Sequence, residues 1–328
     1  MKNKGLYAIV FAVLVAIFGY AGYQVTQDQP IPVVQQTEQK TIQIKHEQGI
    51  TEVKVNPKRI VVLDYGILDT LDTLGVEPEM LATAKQYTPK YLSKYTGDNV
   101  KDVGHLKEPT LETIAELKPD LIIMSGRQRP YYDKLAAIAP TINLSVANVG
   151  YLDALHQQMT ILGQIFQKEE KAEQEFQNLK TEIEKTRDMA QASGKKSLLL
   201  LTVGNKLNAY GPGMRYGFLY DKTSLNLPTV MEAEDANDVK ANSPGGKVIS
   251  YEYIKEKDPD YILVIDRNAA TNQGGITSKD LLDVDIIKST KAYKNNKIIY
   301  VTPDLWYLAN NGYTGTLLML KEIQDAIK

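Results

Sequence analysis

At 328 residues, with 43% hydrophobic and 24% charged residues, the chain has the length and composition of a globular protein of two ordinary domains. A formal net charge of −2 argues against a nucleic-acid binder, which carries a basic face. With no cysteine, the chain excludes disulfides, thiolate zinc sites, iron–sulfur clusters, cysteine nucleophiles and a lipid-modified N-terminal Cys; its histidines, His46, His105 and His156, share no ligand spacing, so no resident metal or cofactor is expected.

The chain opens on Lys2 and Lys4, an uncharged apolar run over 6–18, and the small residues Gly19 and Ala21 flanking Tyr20. This is the pattern of a signal peptide cleaved after Ala21. Stretched to Val25, the run also suits an uncleaved membrane anchor. Residues 1–25 are therefore read as a signal peptide or anchor that places the rest outside the cytoplasm. Residues 26–40, rich in Gln, Pro and Thr, read as a flexible tether.

Alternation over 41–55 (Ile42, Ile44, then Ile50, Val53, Val55) predicts a hairpin, broken by Asn56-Pro57. R-I-V-V-L-D over 59–64 has the continuous apolar core of a buried parallel strand. Ile67, Leu68, Leu71 and Leu74 follow at helical spacing, and Gly75 ends that helix. A second strand is expected over 80–84, a helix and strand over 111–127, and a helix over 132–139. A long helical region covers 151–192; in its charged second part Ala172, Phe176, Leu179 and Ile183, spaced 4, 3 and 4, make one narrow apolar stripe ending before Gly194. The chain restarts with S-L-L-L-L-T-V over 197–203. G-N-K-L-N-A-Y-G, the turn-rich Y-G-P-G-M-R leading to Arg215, and S-P-G-G-K read as loops, none with phosphate-cradling spacing. A helix and strand over 251–267, a last strand over 298–301 and an amphipathic helix over 316–327 complete it. Alternating strands and helices predict an α/β protein of two Rossmann-like lobes, 41–165 and 194–328, joined by one long rigid helix over 166–193.

One internal repeat sharpens this. L-E-T-I-A-E-L-K-P-D-L-I-I-M-S-G-R over 111–127 recurs 140 positions later as Y-E-Y-I-K-E-K-D-P-D-Y-I-L-V-I-D-R over 251–267. Each copy reads as a short helix, a Pro-Asp break and a buried strand that delivers an arginine. Ligands of open α/β sheets bind beyond the carboxyl ends of strands, so Arg127 and Arg267 suggest a shared cleft for an anion. The chain has 32 lysines but six arginines, and the planar guanidinium fork suits bidentate binding of oxyanions. Arg215, in its glycine-shaped loop, is the third candidate. Tyr210, Trp306 and Tyr307 add aromatic surface, although any one tyrosine also fits a partly buried core position. Glu112 and Glu252, paired in the repeat, fit simple helix-dipole stabilisation or a pair of negative knobs, one per lobe. There is no G-x-S-x-G elbow, P-loop or H-E-x-x-H motif.

N-P-K-R-I-V-V-L-D-Y-G-I-L-D-T-L-D-T-L-G, L-K-P-D-L-I-I-M-S-G-R-Q, G-P-G-M-R-Y-G-F, D-P-D-Y-I-L-V-I-D-R-N and I-I-Y-V-T-P-D-L-W-Y-L-A together resemble the periplasmic ferric-siderophore-binding proteins that feed ABC importers. The resemblance lies with the branch taking catecholate and mixed-catecholate complexes, and covers nearly all of 41–328. It implies the class III substrate-binding fold, two lobes on one long helix around a shallow cleft that moves little. It implies a non-enzymatic, monomeric carrier in the periplasm, secreted or anchored to the inner membrane, whose partners are a ferric siderophore and an ABC permease dimer. Three arginines that surround catecholate oxygens in the family fall on Arg127, Arg215 and Arg267. Trp306, Tyr210 and other tyrosines would pack against the ligand rings. The tyrosine that reaches iron when a siderophore leaves coordination open falls on Tyr307, the one candidate metal ligand. Relatives that coordinate directly carry a histidine before G-K; here that position holds Gly245, a departure from the pattern. The family's permease-docking glutamates fall on Glu112 and Glu252. A heme or corrinoid carrier of the same fold is the nearest alternative, and an extracytoplasmic enzyme with a Rossmann-like lobe is the alternative of another class.

Overall fold

In the structure, a computed structural model, the described residues are 40–146, 150–232, 235 and 246–328. The expected signal or anchor segment, the tether up to Gln39, and Gly245 lie outside them. No helix among the described residues is long and apolar enough to cross a membrane.

Strands β1 (Thr41–His46) and β2 (Gly49–Lys54) form the expected hairpin, paired from Thr41↔Lys54 to His46↔Gly49. Its inner face buries Ile44 and Val53. The first lobe is a five-stranded parallel sheet of β3 (Arg59–Val62), β4 (Met80–Thr83), β5 (Val100–Asp102), β6 (Leu121–Met124) and β7 (Thr141–Asn143), in the order β5-β4-β3-β6-β7. Ile60, Val61 and Val62 of the central β3 are buried on both faces, which is why no polar residue interrupts that run. Each such side chain contributes roughly 1.5–3 kcal/mol. At the end of β3, Asp64 caps helix Tyr65–Leu74 by accepting from Gly66 N (2.8 Å) and Ile67 N (3.1 Å); Gly75, at φ 70°, terminates it.

The second sheet contains β8 (Ser197–Val203), β9 (Lys206–Tyr210), β10 (Lys247–Ile249), β11 (Tyr261–Asp266) and β12 (Ile298–Tyr300), ordered β10-β9-β8-β11-β12. Here the sequence reading needs correction. Lys206–Tyr210, expected as loop, is a strand that folds back antiparallel on β8 through Gly204 (φ 58°), so this lobe is not purely parallel. The buried polar Asn208 disguised it; its amide donates to Leu201 O at 3.2 Å.

The repeat is structural. Strands β6 and β11 fill the same slot, each parallel to the central strand, β3 or β8. The Pro-Asp breaks also share one task. Asp120 Oδ2 accepts from Lys58 N (3.1 Å) and Arg59 N (3.0 Å), and Asp260 Oδ2 accepts from Lys196 N (2.8 Å). Each aspartate thus pins the start of the neighbouring central strand.

The long helical region is two helices, Tyr151–Phe166 and Glu169–Ser193, broken where Gln167 adopts φ 54°. The second is the linking helix, about 37 Å long at 1.5 Å per residue. It buries Ala172, Phe176, Leu179 and Ile183 as spaced and ends at Gly194 (φ 61°). The last helix, Tyr313–Ile327, packs against the linking helix and against Tyr65–Leu74 of the first lobe. Asp69, fully buried on Tyr65–Leu74, accepts from Thr314 N (3.2 Å), Gly315 N (2.7 Å) and Tyr91 OH (3.2 Å). A first-lobe carboxylate therefore holds the start of a helix that the sequence assigns to the second lobe. A Cβ at Gly312 would come within 2.2 Å of Asp69 Oδ2, so only glycine allows this approach.

Candidate functional site

Arg127 lies in a tight turn, Gly126–Tyr131, just past β6. The turn is fixed from inside: Gln128 is fully buried and accepts from Ser125 N at 3.1 Å, while Ser125 Oγ donates to Asp64 at 2.8 Å. The Arg127 guanidinium is thereby aimed across to the second lobe. It donates to Tyr307 O at 2.8 Å and Leu308 O at 3.3 Å, with Asp64 Oδ2 at 3.8 Å from Nη1. These carbonyls end the short helix Pro303–Leu308, where cations suit the exposed oxygens.

Arg215 follows β9 through the glycine-shaped loop. The next residue, Tyr216, holds φ 68°, a left-handed conformation costly for a bulky side chain and a common mark of functional sites. Arg215 donates to the same Tyr307 O at 2.8 Å, and its guanidinium carbon lies 4.9 Å from the Tyr216 ring centre and 4.8 Å from that of Tyr307. Arg267 directly follows β11. Its Nε donates to Tyr307 OH at 3.1 Å and its Nη1 to Gln273 Oε1 at 3.1 Å. All three sequence-selected arginines therefore meet at one residue, Tyr307, from both lobes. Among the described residues only Arg127 of the three has a carboxylate within ion-pair range.

This clustering sets the electrostatics. Burial opposes ionisation of the Tyr307 phenol, but the hydrogen bond from Arg267 and the charges of Arg215, Arg267 and Arg127 outweigh it and hold its pKa below the ordinary tyrosine value. Burial lowers the Arg127 pKa, Asp64 opposes that, and the neighbouring Arg215 lowers it further. The excess positive charge of three guanidinium groups gathered at Tyr307 suits an anionic ligand.

A cavity of about 620 Å³ opens here. Asp64, Arg127 and Ser145 form its first-lobe side, Arg215, Tyr216 and Asn311 the second-lobe side, and Glu47 and Arg129 extend it toward the hairpin. Neither Tyr307 nor Arg267 lines this cavity; they adjoin it, Tyr307 through its carbonyl held by Arg127 and Arg215 and Arg267 through the Tyr307 hydroxyl. Among the described residues no group of three or more His, Asp or Glu side chains could hold a metal ion.

Two expected ligand contacts do not match their placement. Trp306 is fully buried, its indole N–H donating to Glu322, with the Phe218 ring 6.4 Å away. Tyr210 is equally buried. It meets Tyr216 edge-on at 5.2 Å and is covered by Gly246, where a Cβ would lie 2.8 Å from its ring. Both support the arginine-bearing loop from behind and do not face the cavity. In the W-Y pair, Trp306 turns inward as an anchor and Tyr307 turns outward. Glu112 and Glu252 are exposed in the first turns of Leu111–Glu116 and Tyr251–Lys257, the helices preceding β6 and β11. Each glutamate thus opens the helix whose following strand, β6 or β11, leads to an arginine. Sequence reading missed Asp64, Glu47, Arg129 and Gln273. Of these only Arg129, in R-Q-R, carried a signal, through the scarcity of arginine.

Residues 60–305 match the family model described as periplasmic binding protein. The petrobactin-binding protein YclQ of Bacillus subtilis is 36% identical over 98% of this chain and 99% of its own, and its crystal structure superimposes with a TM-score of 0.83 over 88% of this chain and 99% of that one. The ferric-anguibactin-binding protein FatB of Vibrio anguillarum is 28% identical over 96% and 95% of the two chains. The periplasmic catecholate-siderophore binding protein VctP of Vibrio cholerae, 31% identical in sequence, gives a TM-score of 0.77 over 87% of this chain and 100% of that one. With a family match over most of the described residues and a relative aligned from end to end, the chain belongs to the periplasmic binding protein family.

Proposed function

We propose that this protein is the substrate-binding component of an iron–siderophore ABC importer. It captures an anionic ferric catecholate or mixed-catecholate complex in the cleft between its lobes and delivers it to a permease outside the cytoplasm. The observation that carries this reading is the convergence of Arg127, Arg215 and Arg267 on Tyr307, with one ion-paired carboxylate, Asp64, among them. A ferric catecholate brings several charged oxygens on a rigid frame, and charge-assisted hydrogen bonds of this type contribute about 1.5–3 kcal/mol each. Relatives with this architecture are named for petrobactin, ferric anguibactin and catecholate siderophores.

Iron is cargo here. Where a siderophore leaves a ferric coordination position open, the Tyr307 phenolate is the group to fill it, since its pKa is already depressed. One chain supplies all three arginines, so the site is complete in a monomer. The exposed Glu112 and Glu252, on equivalent elements of the two lobes, suit docking to a two-fold permease, one glutamate per subunit. The test is titration with iron-loaded siderophores of catecholate, mixed and hydroxamate type, followed by quenching of Trp306, the single tryptophan. Selective saturable quenching by the catecholate and mixed complexes supports the reading; binding of none by the folded protein refutes it.

A further inference from the structure

Glu47 is a cleft carboxylate that no family motif singled out. It sits in the turn between β1 and β2, and the hairpin is fastened to the first sheet where Thr51 Oγ1 donates to Thr141 O at 3.1 Å. Its Oε2 accepts from Arg129 Nη2 at 2.7 Å and from Asn143 Nδ2 at 3.1 Å. Arg129 follows Arg127 by two positions, and both Glu47 and Arg129 line the same cavity as Arg127 and Arg215. Three guanidinium groups (Arg127, Arg129, Arg215) and two carboxylates (Glu47, Asp64) thus face that space.

The two carboxylates differ. Asp64 is 10% exposed in its side chain and committed to Gly66 N, Ile67 N and Ser125 Oγ. Glu47 is 47% exposed, and its partner Arg129 is 53% exposed. An exposed ion pair contributes little to the fold. The pair is therefore poorly explained as a stabilising brace, yet it places one removable negative charge and one reserve cation on the cavity wall.

We infer that the Glu47–Arg129 pair sets which net charge of ferric complex the cleft prefers, with Glu47 moderating the attraction for highly anionic ligands and Arg129 supplying a fourth cation to them. This rests on the proposed siderophore function and specifies the ligand's charge class. Coulomb energy scales with ligand charge, so one added or removed wall charge shifts log affinity about three times as far for a trianionic complex as for a monoanionic one of similar shape. Through wet, partly exposed geometry, a shift of about twofold for the monoanion implies about eightfold for the trianion.

The experiment compares a ferric hexadentate tris-catecholamide, trianionic, with a ferric tetradentate bis-catecholamide, monoanionic. Each is titrated by fluorescence quenching at low and high salt. Glu47→Gln is expected to tighten the trianion about eightfold and the monoanion about twofold, and Arg129→Gln to weaken them in the same proportion. Glu47→Gln with Arg129→Gln should return the preference to that of the unaltered protein, and added salt should shrink all these shifts. Equal shifts for both complexes in the single variants, or none, overturn the charge-selection role while leaving the siderophore function standing. Failure of the unaltered, folded protein to bind either complex overturns both.

Discussion

Replacing Arg215 with Ala should separate ligand binding from folding. In the free protein Arg215 donates to Tyr307 O at 2.8 Å, but that oxygen keeps a second donor, Arg127 Nη2, also at 2.8 Å. The substitution leaves no orphaned carbonyl, and it relieves repulsion on Arg127, whose pKa burial and then Arg215 help to lower. Lost stacking on Tyr216 and Tyr307 is offset by that relief, so the folding loss should stay below about 1 kcal/mol. Binding loses a charge-assisted contact to the anion, about 1.5–3 kcal/mol, or roughly ten- to a hundredfold in Kd. Arg215→Lys should recover part, because the point charge returns without the fork. Arg187, on the linking helix beside Asp188, is the control position. The assay is quenching titration beside thermal unfolding, with spectrophotometric titration of tyrosine as an internal check. Loss of the Arg215 charge should raise the Tyr307 pKa toward its ordinary value, whereas Tyr65, Tyr210 and Tyr216 are already pushed up by burial. Unchanged affinity, or an affinity loss matched by an equal loss of stability, would refute the assignment of Arg215 to the ligand.

Three further outcomes are expected. Tyr307→Phe should weaken complexes with an unfilled ferric position far more than a hexadentate one, as read by titration and by loss of a phenolate-to-iron absorption band; equal losses would leave Tyr307 a packing and hydrogen-bonding role. Glu112→Ala with Glu252→Ala should leave affinity and Tm unchanged but strongly reduce uptake of labelled ferric siderophore in cells, and Arg at both positions should be worse; normal uptake by the double Arg variant removes the docking role. Burial pushes the Asp69 carboxyl up to about 6 from an ordinary 3.8, against the hydrogen bonds that oppose it. Its contribution to stability is therefore fully present below about pH 3.8 and lost as pH rises through 6, a span worth roughly 3 kcal/mol. The stability difference between the unaltered protein and Asp69→Asn should accordingly move in favour of Asp69 as pH falls from 7 to 4, and a difference independent of pH would contradict it.

The legible parts of this fold were those written as local pattern. The β3 run, the stripe Ala172, Phe176, Leu179 and Ile183, and the duplicated helix–strand unit each carry a period or a repeat, and each formed as expected. What stayed hidden depends on contacts between distant segments. Strand β9 was missed because Asn208 breaks its apolar pattern, and the partner of its amide, Leu201, lies across the hairpin. The burial of Trp306 follows from Glu322 waiting sixteen positions away, and that of Tyr210 from Gly246 passing over its ring. Nothing local to Asp69 reveals that its partners are Thr314 and Gly315.

Those hidden contacts show how a largely main-chain web would serve the proposed anion site. Arg127 and Arg215 each spend donors on the Tyr307 carbonyl, yet a guanidinium has five N–H donors in a fixed fork. Holding one edge on a carbonyl restrains guanidinium groups that line the cavity, and in the proposed function such restraint would lower the ordering cost of binding. The carbonyl itself is placed by the short helix Pro303–Leu308, anchored inward by Trp306 on Glu322, and the chain just beyond it is locked by Gly312 against Asp69. The arginines are thus positioned by a second-lobe turn that the first lobe grips at Asp69. A substitution that loosens the grip, such as Gly312→Ala, disturbs the site without touching the ligand, because the added methyl must displace the Asp69 carboxylate. The geometry thus seats this turn from both lobes, through Trp306 on Glu322 and through Asp69 on Thr314 and Gly315.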